Sequence, residues 1–200
     1  MSSLVRQLIE SFIFLFIVFD AIGNAPIFLS LTKDFNPEER RKIYLRSVIA
    51  AGTLLIFFMF FGPMIFNYYG VTMEDIKVAG GLLLLLIAIE GLLGREEAQK
   101  VKSEDIAIVP LATPLLAGPG SIYVVMYIYS IYGLIPAVFS IIANTILALI
   151  ILNYVSFIIE RLGINVLLVI SRIMAFILAV FAISMIRDGI MGMYREFLKT

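Results

Sequence analysis

The sequence predicts an all-α integral membrane protein with six membrane-spanning helices. They form two inverted three-helix repeats, and helices 1 and 4 are broken near the membrane midplane. Three observations predict this class. Hydrophobic residues make up 62% of the 200, against about 45–50% in soluble domains, and mean hydropathy is +1.05. The apolar residues fall in long runs. Two of those runs are interrupted at matching places, in "FDAIGNAPIFLSLT" and in "TPLLAGPGSIYVVM", with Pro26 and Pro119 93 residues apart.

The runs are 12–19, 48–69, 78–93, 106–131, 135–159 and 166–186. Each is near the ~20 residues a helix needs to cross hydrocarbon, provided the first continues through its interruption to Leu31. This leaves one membrane domain over 1–200: a first repeat of about 1–95, a short cytoplasmic linker at about 94–105, and a second repeat of about 106–200. The apolar run after Arg6 continues without a small-residue cleavage site, so no cleavable leader is expected.

Absences narrow the chemistry. The chain has no cysteine and no histidine, which removes disulfides, thiolate metal sites, Ser-His catalysis and histidine proton relays. No metal or cofactor and no enzymatic activity are expected. Net charge is zero and the cations sit in short loops, so nucleic-acid binding has no support. Ten basic residues lie after spans 1, 3 and 5 or at the adjoining helix ends: Lys33, Arg40, Arg41, Lys42, Arg46, Arg95, Lys100, Lys102, Arg161 and Arg172. The other side has five: Arg6, Lys77, Arg187, Arg195 and Lys199. Positive charge favours the inside, so both termini should face outward from a multi-pass protein of the cell membrane.

The two halves align. Gly70-Val71-Thr72 matches Gly163-Ile164-Asn165 at the offset of 93, and Ala88-Ile89 matches Ala182-Ile183 at 94. Each half has three spans, an odd number, so the second enters the membrane from the opposite face. That is the inverted repeat of many secondary transporters, in which broken helices from both halves meet around the substrate.

The breaks suggest what such a site holds. Proline lacks an N–H and clashes with the preceding turn, so Pro26 reads as an early residue of a new half-helix, with Asn24 or Ala25 as N-cap and non-helical backbone over 23–25. Gly118-Pro119-Gly120-Ser121 reads likewise, with Gly118 as the cap and a break at 117–118. Freed N–H groups near Ile27, Gly120 and Ser121 lie at positive dipole ends suited to a carboxylate. Freed carbonyls near Ile22 or Leu116, the Asn24 side chain and Asp20 suit an ammonium. Glycines at 23, 118 and 120 let a small ligand approach the main chain. The expected substrate-binding residues are therefore Gly23, Asn24, Ala25, Pro26, Ile27, Gly118, Pro119, Gly120 and Ser121. Small residues in membrane helices also serve simple packing; two matching breaks favour the site.

Asp20 costs ~2.5–3.5 kcal/mol to place at mid-bilayer, which makes it a functional candidate. It carries a coupling proton, or else it fixes the bundle through a hydrogen bond or an ion pair such as one with Arg172. Thr113, Asn144 and Thr145 are candidates for lining a cavity, although Asn144 and Thr145 also suit hydrogen bonds to another helix. Glu90 and Asp188 fall near helix ends, at the interface.

"GNAPIFLSLT", "AGGLLLLLIAI", "PLATPLLAGPGS" and "ILAVFAISMIRDGI" together resemble the MarC family of integral membrane proteins, also called the neutral amino-acid transporter family, over essentially the whole chain. The family pattern often reads Asp-Pro-x-Gly-Asn; here it is Asp20-Ala21-Ile22-Gly23-Asn24, without the proline. The resemblance implies a six-span transporter of small neutral amino acids such as glycine and alanine, coupled to a cation, either a proton or sodium. The partners expected are that amino acid, the coupling cation and the lipid bilayer, with oligomeric state left open. A channel or an exporter of another small solute is the alternative. An intramembrane aspartyl protease with Asp20 and Asp188 as its dyad is a remote one.

Overall fold

The computed structural model describes residues 3–93, 107 and 111–198. Among them are seven α-helices, one turn of π-helix and no strand. The helices are α1 (Ser3–Phe19), α2 (Ala21–Leu31), α3 (Pro37–Tyr68), α4 (Met73–Leu93), α5 (Pro119–Tyr132), α6 (Leu134–Leu162) and α7 (Ile164–Phe197); the π turn is Leu111–Leu116. Five stretches are long and apolar enough to cross a membrane: Ser3–Leu31, Pro37–Tyr68, Met73–Leu93, Leu134–Ile158 and Ile164–Arg195. Of the remaining apolar run, 106–131, the described part from Leu111 onward holds the π turn and, after it, most of the 14-residue α5. The linker at 94–105 lies outside the described residues.

Local chemistry sets the joints. α3 starts with a capping box, Asn36 and Glu39 each accepting from the other's backbone N–H, and with Pro37 in the first turn. Thr72 and Asp75 cap the start of α4 in the same reciprocal way. The turns between α3 and α4, α5 and α6, and α6 and α7 each use a glycine at positive φ: Gly70 (68°), Gly133 (83°) and Gly163 (80°). Between α1 and α2 the left-handed residue is Asp20, at φ 40° and ψ 52°.

The helices show one face to each other and apolar side chains outward. Ile49, Phe57, Phe61, Leu86, Ile146 and Val180 are all exposed, a surface suited to lipid rather than water. The interior is small and apolar, and its register repeats. Buried Ser47, Val48, Ala51, Leu55, Met59 and Gly62 on α3 correspond at 93 to buried Ser140, Ile141, Asn144, Ala148, Leu152 and Val155 on α6. Buried Gly81, Leu84 and Ala88 on α4 correspond at 94 to buried Ala175, Leu178 and Ala182 on α7.

α3 packs on α6 and α4 on α7, both pairs antiparallel. Arg40 donates to the Ser156 hydroxyl at 3.2 Å, whereas farther along α3 Gly52 faces Thr145. A Cβ on Gly81 would stand 2.9 Å from the Ala182 carbonyl, and one on Gly189 3.0 Å from the Glu74 carbonyl. The α4–α7 seam therefore exists because glycine brings the two backbones together. Gly81→Ala should push the helices apart at a cost of about 1 kcal/mol, the low end for overpacking. A thermal melt of the detergent-solubilised protein checks this, the variant melting below the parent.

Candidate functional site

Asp20 ends α1 and begins α2. Its amide donates to the Phe16 carbonyl at 3.1 Å and its carbonyl accepts from Asn24 N–H at 3.0 Å, so the ladder is kept on both sides while the chain turns. A left-handed residue bearing a Cβ costs about 1–2 kcal/mol, which Asp offsets by bonding locally. Its carboxylate accepts from Gly23 N–H at 3.0 Å and so caps α2. Gly23 is glycine for this reason: a Cβ there would collide with the Asp20 carboxylate.

This moves the first break from where the sequence places it. Residues 23–25 are helical, the chain turns at Asp20, and Pro26 lies inside α2. Pro26 withholds the N–H that would have reached the Ile22 carbonyl and its ring crowds that carbonyl, yet α2 continues through it to Leu31. Ile27 is correspondingly the seventh residue of α2 and not a member of its first turn.

In the second half Thr113 leaves helical geometry (φ −131°, ψ 130°), 93 residues after Asp20. Gly118 is extended (φ −82°, ψ 174°) and stands as N-cap of α5 with Pro119 in the first turn. The sequence places the second break at this same position. Gly118 has no side chain to cap with, and no side-chain bond caps this helix start among the described residues. The N–H groups of Gly120 and Ser121 precede the first intrahelical donor, Ile122, whose N–H reaches the Gly118 carbonyl at 3.0 Å.

The two breaks are laced together. Asn24 Nδ2 donates across to the Leu115 carbonyl at 3.4 Å. Ser121 Oγ lies 3.2 Å from the Val18 carbonyl and 2.8 Å from that of Leu116. Each half thus sends one polar side chain to a carbonyl freed in the other. Around this point a cavity of about 10 Å³ is lined by Val18, Asp20, Asn24, Leu84, Ile87, Leu115, Gly118, Pro119, Ser121 and Leu178. That is room for roughly one water, so an amino acid requires the helices to part. Asp20, Asn24 and Ser121 are 6%, 6% and 1% exposed, a concentration of buried polarity that apolar surroundings make costly unless it is bonded or used.

The other predicted residues sit as follows. Ala25 is fully buried in α2 and packs in the core. Gly120 is buried, and a Cβ on it would collide with Leu84, itself part of the cavity wall. Thr113 lies on the approach to the second break and not in the lining. Asn144 is spent on helix packing, its Nδ2 donating to Phe12 O at 3.2 Å and Ser140 O at 2.9 Å. Thr145 lies against Gly52, its Oγ1 buried and without a hydrogen-bond partner among the described residues. Asp188 is exposed and paired with Arg187 at 2.9 Å, a different setting from that of Asp20, and Arg172 is exposed on α7. The sequence reading omitted the apolar lining of Val18, Leu84, Ile87, Leu115 and Leu178. Leucines among leucines carry no local signal, but Leu84 and Leu178 stand at the 94 offset, so the repeat itself could have paired them.

A family model described as MarC family integral membrane protein matches residues 5–194. A UPF0056 membrane protein of Methanocaldococcus jannaschii is 35% identical, over 94% of this chain and 97% of its own. The UPF0056 membrane protein YvbG of Bacillus subtilis is 35% identical over 94% and 95%, and one from Archaeoglobus fulgidus is 37% identical over 90% of each. No solved structure matched the chain. With the match running through both breaks and all seven helices, the chain belongs to the MarC family of integral membrane proteins.

Proposed function

We propose that this protein is a secondary transporter of small neutral amino acids of the glycine and alanine type, coupled to protons or sodium, in the cell membrane. The observation that carries the reading is the meeting of the two helix breaks at one buried polar cavity. An inverted repeat of three plus three spans supports it. The buried registers of α3 and α6 coincide at 93 and those of α4 and α7 at 94. Both homologous pairs are antiparallel, as inversion requires, and Asp20 and Thr113 leave the helix at the same offset. Packing repeats as well: α4 on α5 is matched by α7 on α2, and α3 on α5 by α6 on α2. The run 106–131 then supplies the sixth span as a broken one, with both termini outside.

The halves are not equivalent at the site. The start of α2 already holds a carboxylate, that of Asp20, whereas the start of α5 is uncapped. The substrate carboxylate therefore belongs at the Gly120 and Ser121 N–H groups, where the helix dipole favours an anion. The ammonium belongs toward Asp20 and the carbonyls of Leu115 and Leu116, with Asn24 beside it. Gly23, Ala25, Pro26 and Ile27 shape α2 behind Asp20 and Asn24. Leu84, Ile87 and Leu178 form the apolar wall of the cavity, which would favour a short side chain once the helices part.

Competition tests this assignment. Labelled glycine bound to the purified protein should be displaced by unlabelled alanine but poorly by glycinamide, which keeps the ammonium and lacks the carboxylate. Equal displacement by glycinamide would show that the α5 N-terminus does not read a carboxylate.

A further inference from the structure

A second polar group lies one turn from the cavity and belongs to neither break. Along α4, Leu84, Gly80, Lys77 and Glu74 fall on one face; along α5, Pro119, Tyr123 and Tyr127 do the same. A Cβ on Gly80 would be 3.5 Å from the Pro119 carbonyl, so the two backbones touch just beyond the cavity. Past this contact Lys77 lies over the Tyr123 ring, its Nζ 5.9 Å from the centroid, and is held by Glu74 at 3.7 Å. Tyr123 is 4% exposed and stacks on Tyr127, with ring centroids 5.8 Å apart. Glu74 in turn lies against Gly192 of α7, where a Cβ would collide with it.

Lysines near helix ends ordinarily extend their ammonium toward water. Lys77 is the fifth residue of α4, about 6 Å along its axis, yet its side chain is 16% exposed. It is turned across the seam and not out of it. The arrangement is also one-sided. At the repeat offsets, Lys77, Glu74 and Tyr123 correspond to Ser171, Leu168 and Ser30, which carry no charge and no ring.

We propose that Lys77, clamped between Glu74 and the Tyr123 face, is the gating residue that closes the cavity toward the end of the bundle where α4 begins. This rests on reading the cavity as a transport site. An ion pair and a cation–π contact are weak enough to break in each cycle and strong enough to bias the closed state.

The absence of cysteine from the chain makes the test direct. Ser121→Cys places a single thiol in the cavity, and Leu178→Cys provides a second reporter from α7. Each is treated with a membrane-impermeant thiol reagent in right-side-out and in inverted vesicles. Lys77→Met should raise the modification rate about fivefold to tenfold from the side bearing the start of α4, leave the rate from the other side unchanged, and be reversed by Lys77→Arg. Unchanged rates in a folded Lys77→Met protein, or an equal rise from both sides, would overturn the gate. Protection of the thiol by glycine is scored separately: a one-sided rise without protection keeps the gate and removes the amino acid as the substrate.

Discussion

Asp20→Asn is expected to fold like the parent protein and to lose the gradient-driven amino-acid uptake proposed above. Asparagine is among the few residues that adopt the left-handed conformation at low cost, and it caps helices as well as aspartate does. The turn at φ 40° and the bond from Gly23 N–H therefore survive while the charge is removed. On the proposed reading, what the substitution removes is the partner for the substrate ammonium and the group that would carry a coupling proton. A hydrogen bond to a charged group is worth about 1.5–3 kcal/mol, which corresponds to a roughly 10- to 100-fold loss of affinity. Asp20→Ala behaves differently. It removes the cap, about 1 kcal/mol, and leaves a Cβ in a left-handed residue, so it should lower the melting temperature. Uptake and melting measured on both variants separate the two roles: full uptake by a stable Asp20→Asn would assign Asp20 to the turn alone.

Gly120→Val should abolish function by damaging the fold rather than by crowding a ligand. From the sequence this glycine reads as an approach path for the substrate. In the structure its missing Cβ is the space filled by Leu84 of α4, with Leu84 Cδ2 2.7 Å from where the Cβ would be. A branched side chain there forces α4 from α5, a cost of about 3 kcal/mol or more at the upper end of overpacking. The melting temperature should fall by several degrees. Leu84→Ala in the same chain should recover part of that loss, since it empties the volume the valine needs. If Gly120→Val melts like the parent and still blocks uptake, the residue does face the substrate.

These two positions mark where the sequence is legible. The helical runs follow from composition, because lipid demands long apolar helices, and the buried registers that α3 shares with α6 and α4 with α7 fall at the 93 and 94 offsets read from the sequence. The second break is legible because Gly118 and Pro119 cannot both sit inside a helix without penalty. The first break is misplaced because Pro26 looks like the stronger interruption, yet α2 runs through Pro26 and the chain turns at the left-handed Asp20 instead. The signal for Asp20 is subtler: an acid followed three residues later by a glycine that can receive its side chain. The role of Asn144 as a fastener between α6 and α1 depends on which carbonyl lies opposite, which spacing along one helix does not reveal. The cavity wall from Leu84, Ile87 and Leu178 is hidden for a similar reason, since only the packing of α4 and α7 against the breaks selects them from their neighbours.

The most direct measurement is uptake of labelled glycine into liposomes containing the purified protein, with proton and sodium gradients imposed separately. Saturable accumulation above equilibrium is expected under one of these gradients, with its collapse when that gradient is dissipated and its loss in Asp20→Asn. Glycine flux that never saturates and ignores both gradients, or no flux of glycine or alanine under either, would contradict the proposed function.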